Sequence, residues 1–173
     1  ALELLEEMER HRRYFGFQLF SSAEAIRAFG LDTMVRLGVS FVWIGVESAT
    51  GNGNFAKNDG VDARLLTRKL RDRGITVLAS GILCAEHHTP ENMQAEIDFM
   101  VGLEADMVQF MLLTPLPVTA LWEDMKRRGL LREDLPWAEW HGQKELSWSH
   151  PAFPGDAPAR WLEKAFRADY EAN

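Results

Sequence analysis

The chain has 173 residues, of which 46% are hydrophobic and 26% charged, a globular balance that excludes global disorder. Its formal net charge of -7 excludes a general nucleic-acid-binding surface, because phosphate contacts need clustered Lys and Arg. A single cysteine, Cys84, excludes an internal disulfide and points to a reducing, cytoplasmic setting; no apolar run approaches the roughly 18 residues of a membrane span.

Residues 1–7 read as an acidic helical start with no secretory signal. The first residue is Ala rather than Met, which leads us to expect polypeptide upstream of it. A strand is expected from Tyr14 to Phe20. Leu31, Met34 and Val35 then recur at helical spacing up to Gly38, and Val39 to Val46 reads as a buried strand. The next helix is expected from Val61 to Arg73, with Leu65, Leu66 and Leu70 on one face and Gly74 as its stop. Its basic stretch, Arg68 to Arg73, is a solvated face at the negative end of the helix dipole. A strand beginning at Ile75 follows. The helix expected from Pro90 to Leu103 turns Met93, Ile97, Met100 and Val101 inward, and a strand runs from Met107 to Leu113. From about Gly129 the texture becomes irregular and aromatic, with four of the six Trp between residues 137 and 161. We read it as an extension whose rings pack on the domain wall. A helix from Ala157 to Tyr170 closes the chain.

Near-continuous apolar strands alternating with amphipathic helices predict an α/β fold, a parallel sheet covered by helices. Right-handed crossovers leave an open doubly wound sheet or a (β/α) barrel. In either, functional groups belong just beyond the C-terminal ends of the strands.

Three strand ends carry candidate chemistry. The first ends in Gly45-Val46-Glu47-Ser48, a carboxylate and a hydroxyl after an apolar run. A lone acid there is costly unless it is used, although a salt bridge is the plainer reading. The second ends in Ser80-Gly81-Ile82-Leu83-Cys84, followed by Glu86, His87, His88 and Thr89. Cys84 alone reads as a small buried residue, and Thr89 before Pro90 reads as a helix N-cap. The third ends in Leu113-Thr114-Pro115-Leu116-Pro117, a rigid strand exit.

Together these segments resemble radical S-adenosylmethionine (radical SAM) enzymes. Gly45-Val46-Glu47-Ser48, with Lys57 after it, resembles the family's fourth-strand segment. Gly74 through Ile82 to Thr89-Pro90-Glu91 resembles the fifth, and Thr114-Pro115-Leu116-Pro117-Val118-Thr119 the sixth. The resemblance covers about residues 14 to 130. The tail is similar to the extension of the branch that carries an N-terminal cobalamin-binding domain. The resemblance implies a partial (β/α)6 TIM-like barrel with strands 3–6 in residues 1–130 and an aromatic extension in 131–173. It implies S-adenosylmethionine as cofactor, a [4Fe–4S] cluster, cobalamin in that branch, and a small-molecule substrate. Glu47 and Ser48 would hold the ribose or the methionine part. Ser80, Ile82 and Cys84 would lie along the adenine, and Leu113 and Thr114 would close over it. Gln18 would face the same cavity.

The sequence departs from the family where glycines are usual: Ser80 and Cys84 in the fifth-strand segment, and Val118 in the sixth. The three cysteines of the cluster motif are absent from these 173 residues, and one thiolate cannot hold a cluster that needs three. The expectation is therefore the later part of a radical SAM enzyme, with the cluster-bearing N-terminal part as its partner and no activity alone. Two other readings compete with it. In a metal-dependent barrel hydrolase or lyase, Glu47, Glu86, His87 and His88 would gather around an ion. In a non-catalytic interaction module, the tail from Trp137 to Trp161 would dock a partner.

Overall fold

The structure, a computed structural model, describes residues 2–47 and 62–172. Its helices and strands follow in chain order: α1 (Leu2–His11), β1 (Phe17–Ser21), α2 (Ala23–Phe29), α3 (Leu31–Leu37), β2 (Val39–Glu47), α4 (Ala63–Arg71), β3 (Thr76–Leu83), α5 (Pro90–Val101), β4 (Met107–Leu112), α6 (Ala120–Arg127) and α7 (Ala157–Ala172). The four strands form one sheet in the order β1-β2-β3-β4, and β1 pairs with β2 in parallel. This is the α/β layout expected from the alternating pattern. No described helix is long and apolar enough to cross a membrane.

The described residues form two compact units: residues 2–47, 62–80 and 102–109, and residues 81–101 and 110–172. In the first, β2 buries Val42, Ile44 and Val46 on one side and leaves Phe41, Trp43 and Glu47 half-buried on the other. Phe20 of β1 stacks on Trp43 with ring centroids 4.9 Å apart, yet stays 80% exposed. Asp106 fixes the start of β3: it accepts from the Val77 N–H at 2.8 Å and pairs with Arg71 at 3.0 Å. The basic end of α4 thus meets its own carboxylate.

In the second unit, Phe110 and Leu112 of β4 are buried, and Phe110 meets Phe166 of α7 edge-on at 5.4 Å. Gly81 has no room for a side chain, since a Cβ would lie 2.9 Å from Met100 Sδ. The period of two then turns Ser80 and Ile82 to the opposite side of β3, where both are half-buried. Trp148 and Phe153, each 2% exposed, fill the core, as expected for an aromatic extension that packs on its own domain. Trp137 and Tyr170 are exceptions, at 64% and 79% exposed.

The first strand begins three residues later than expected. Arg13 donates to Met8 O at 2.9 Å and Arg12 has φ 52, so the chain is still leaving α1 there. Two helices were not foreseen, α2 and α6. Ser22 caps the first by accepting from Ala25 N–H at 3.2 Å, and Thr119 caps the second by accepting from Trp122 N–H at 3.2 Å.

Candidate functional site

Glu47, Ile82, Cys84, Leu113 and Thr114 fall at or just beyond the C-terminal ends of their strands, whereas Ser80 lies within β3 and Gln18 near the start of β1. Glu47 ends β2, is half-buried, and has φ 72, a backbone region that non-glycine residues rarely adopt. Ser48 and Lys57 lie outside the described residues. Ser80 and Ile82 occupy the less buried side of β3. Leu113 and Thr114 leave β4 half-buried, and the Thr114 hydroxyl donates to Leu112 O at 3.1 Å. Gln18 is exposed on β1.

Two departures from the family's glycines acquire a physical meaning here. Cys84 has φ 53 and Val118 has φ 66, so both hold the left-handed conformation a glycine would adopt without strain. Cys84 is fully buried, and that burial pushes its thiol up to about 12. It is also the chain's single thiol, where a cluster needs three thiolates. The described thiol therefore does not fit a cluster site, as the missing three-cysteine motif already implied.

In the second unit the exits of β3 and β4 are tied together. Leu113 N–H donates to Leu83 O at 3.0 Å. Ala85 N–H donates to His88 Nδ1 at 3.0 Å, and Ala85 O lies 3.0 Å from His150 Nε2. Since Ala152 N–H donates to His150 Nδ1 at 3.0 Å, the ring proton of His150 sits on Nε2, which donates to Ala85 O. Burial holds the His150 imidazole below its ordinary value, against the smaller upward pull of the Ala85 carbonyl. His87 is also held low, first by burial and then by His88.

His87, His88 and Glu96 bring three potential ligand atoms within 4.8 Å of one another. His88 and Glu96 are buried, with His88 Nε2 3.7 Å from Glu96 Oε1. This grouping differs from the metal set weighed on sequence. Glu86 is drawn away by Arg128 at 2.6 Å, and Glu96 was missed. Its signal was an acid on the apolar stripe of α5, between Met93 and Met100. The Ala85 N–H occupies His88 Nδ1, which leaves the ring proton on Nε2 facing Glu96. At 3.7 Å that contact is longer than a hydrogen bond, and the buried His88 Nε2 has no hydrogen-bond partner among the described residues. Thr89 precedes α5 as an N-cap should; its N–H donates to Asn92 Oδ1 at 2.8 Å, and its hydroxyl bonds to Glu91 and holds that carboxyl below its usual range.

No protein-family model matches the chain. It is 27% identical over 143 residues to a hopanoid C-2 methylase of Rhodopseudomonas palustris, covering 78% of this chain and 27% of that protein. It is 33% identical over 101 residues to an uncharacterized methyltransferase of Pyrococcus horikoshii, covering 54% of this chain and 21% of that one. The chain thus spans about a quarter of the length of these curated relatives. Among solved structures it is similar to the radical S-adenosylmethionine methyltransferase TsrM from Kitasatospora setae with cobalamin and a [4Fe–4S] cluster bound. The TM-score is 0.72 at 17% identity, over 95% of this chain and 39% of that one. A second TsrM structure, with tryptophan substrate and the SAM analogue aza-SAM, gives 0.68 at 16% identity over 99% of this chain. The resemblance carried by the strand-end motifs is therefore matched in fold by a radical SAM methyltransferase and in sequence by two methyl-transferring relatives.

Proposed function

We propose that this chain is the S-adenosylmethionine-binding part of a radical SAM methyltransferase of the cobalamin-using kind. The observation that carries the reading is positional: the motif residues Glu47, Ile82, Leu113 and Thr114 lie at strand exits, with Ser80 on the same side of β3 as Ile82, in a fold shared with TsrM over 95% of the chain. The four strands are read as strands 3–6 of a partial (β/α)6 barrel, with residues 131–173 as its extension.

Glu47 accepts the ribose hydroxyls or pairs with the methionine ammonium, and Ser48 assists. The backbone from Ser80 to Cys84 runs along the adenine, with Ile82 in contact, and Leu113 and Thr114 close over it. The cluster and cobalamin, when bound, supply electron transfer and methyl carriage. Cys84 is no ligand to either, so the cluster cysteines belong to polypeptide outside these 173 residues. Alone, these residues cleave no S-adenosylmethionine. The acceptor is a small molecule. Burial of Trp140, Trp148 and Phe153 favours this reading over a partner-docking module.

The test uses the product of the complete reading frame, anaerobically reconstituted with iron and sulfide. S-adenosylmethionine should perturb the electron paramagnetic resonance signal of the reduced cluster, and Glu47→Ala should abolish that perturbation. A protein that assembles no cluster, or whose signal ignores S-adenosylmethionine, would overturn the proposal.

A further inference from the structure

We infer that residues 142–150 form a clamp that sets the exits of β3 and β4, with Gly142, Trp148 and His150 as positioning residues for S-adenosylmethionine. The inference rests on the function proposed above and adds residues that no motif match assigns. Three contacts reach the backbone of the strand exits. Gly142 O accepts from Leu112 N–H at 2.7 Å, Trp148 Nε1 donates to Leu113 O at 3.0 Å, and His150 Nε2 donates to Ala85 O at 3.0 Å. Leu113 is itself a predicted adenine contact, Leu112 precedes it in β4, and Ala85 follows Cys84.

The clamp has little freedom to shift. Gly142 is buried with φ 69, and a Cβ there would lie 2.7 Å from Leu112 O and 2.8 Å from Thr114 Oγ1. The Trp148 and His150 rings lie 4.8 Å apart, and Phe153 meets His150 at 4.7 Å. On the outer side, Arg132 N–H donates to Ser147 O at 3.0 Å and Ser149 N–H to Leu130 O at 2.8 Å, which anchors the segment to residues 130–132. A tail that only filled space would need apolar contact alone. Directed hydrogen bonds to consecutive exit residues add little net stability but fix position.

The experiment is equilibrium dialysis of S-adenosylmethionine against the full chain at pH 7.5. It is run well below the melting temperature, so that affinity reports the folded state and not its population. Hydrogen–deuterium exchange of residues 83–86 and 112–114 is followed in parallel. Trp148→Phe keeps the ring bulk and removes the donor. It should weaken binding about fivefold, the worth of one hydrogen bond, and speed exchange at Leu113 and Thr114. Gly142→Ala should weaken it by about tenfold or more, since strand exit and clamp must part. His150→Phe should weaken binding, and His150→Gln, which keeps an N–H donor, should restore most of it. Wild-type binding with all variants equally tight would overturn the clamp and leave the proposed function standing. A wild-type chain that takes up no S-adenosylmethionine would overturn the proposed function and this inference with it.

Discussion

The exits of β2 and of β3 and β4 present different chemistry. In the first unit, β2 ends at a single half-buried acid, Glu47, held in left-handed backbone. In the second, the ends of β3 and β4 are bonded to one another and to side chains 65 and 35 residues further on, His150 and Trp148. The aromatic residues divide in the same way. The exposed Phe20 stacks on the half-buried Trp43, whereas Trp148 and Phe153 are core. The contrast teaches that an aromatic-rich tail can serve as the structural support of a site, and that exposed rings on a strand face contribute little to holding their own unit together.

The largest expected difference comes from truncating one ring in each unit. Trp148→Ala should destabilise by about 3–5 kcal/mol, through a cavity and a lost donor. Phe20→Ala should change stability by about 0.5 kcal/mol or less, because little area leaves water there. Chemical denaturation of both variants checks this; equal losses would erase the distinction.

His88→Ala comes next. It strips the buried Ala85 N–H of its acceptor and should cost about 1–3 kcal/mol. The melting temperature of the variant against wild type measures it.

A smaller effect follows from pH. Burial lowers the folded-state values of His150 and His87, so the unfolded chain takes up protons first as pH falls. Stability is full above about 6.5 and is lost as pH drops below it towards the lowered folded values. Protonation of His150 would also turn Nδ1 into a donor facing the Ala152 N–H. Melting at pH 5.5 should be of the order of 2 °C lower than at pH 7.5, and His150→Gln should reduce that gap. A flat profile would mean that neither ring is neutral by necessity.

Val118→Gly should be the mildest change and the only gain. It relieves a β-branched residue at φ 66 and should stabilise by about 1 kcal/mol, less the extra chain entropy of glycine. A loss of stability on this substitution would contradict the strain.

Much of this organisation was legible in the sequence. The β-branched runs and the apolar stripes of α4 and α5 gave the order of elements, because burial on both faces of a sheet and on one face of a helix leaves different periods. The strand-end residues were legible for the same reason. The helices α2 and α6 were not, since their signals were a capping Ser22 and Thr119 before short, mixed stretches. Glu96 and the clamp were hidden more deeply. Glu96 becomes visible only when α5 buries the face that carries it, and Gly142, Trp148 and His150 meet the strand exits through contacts that span 30 to 65 residues. No local pattern encodes such contacts. The family's glycines at the positions of Cys84 and Val118 also became intelligible only through the backbone angles.

The most direct measurement is the affinity of the wild-type chain and of Glu47→Ala for S-adenosylmethionine, with Glu24→Ala, at an exposed position of α2, as control. The predicted result is binding by wild type and by the control, and loss of about tenfold or more in Glu47→Ala, as expected for a charge-assisted contact. Binding that is absent from wild type, or indifferent to Glu47, would contradict the assignment of these strand ends to S-adenosylmethionine.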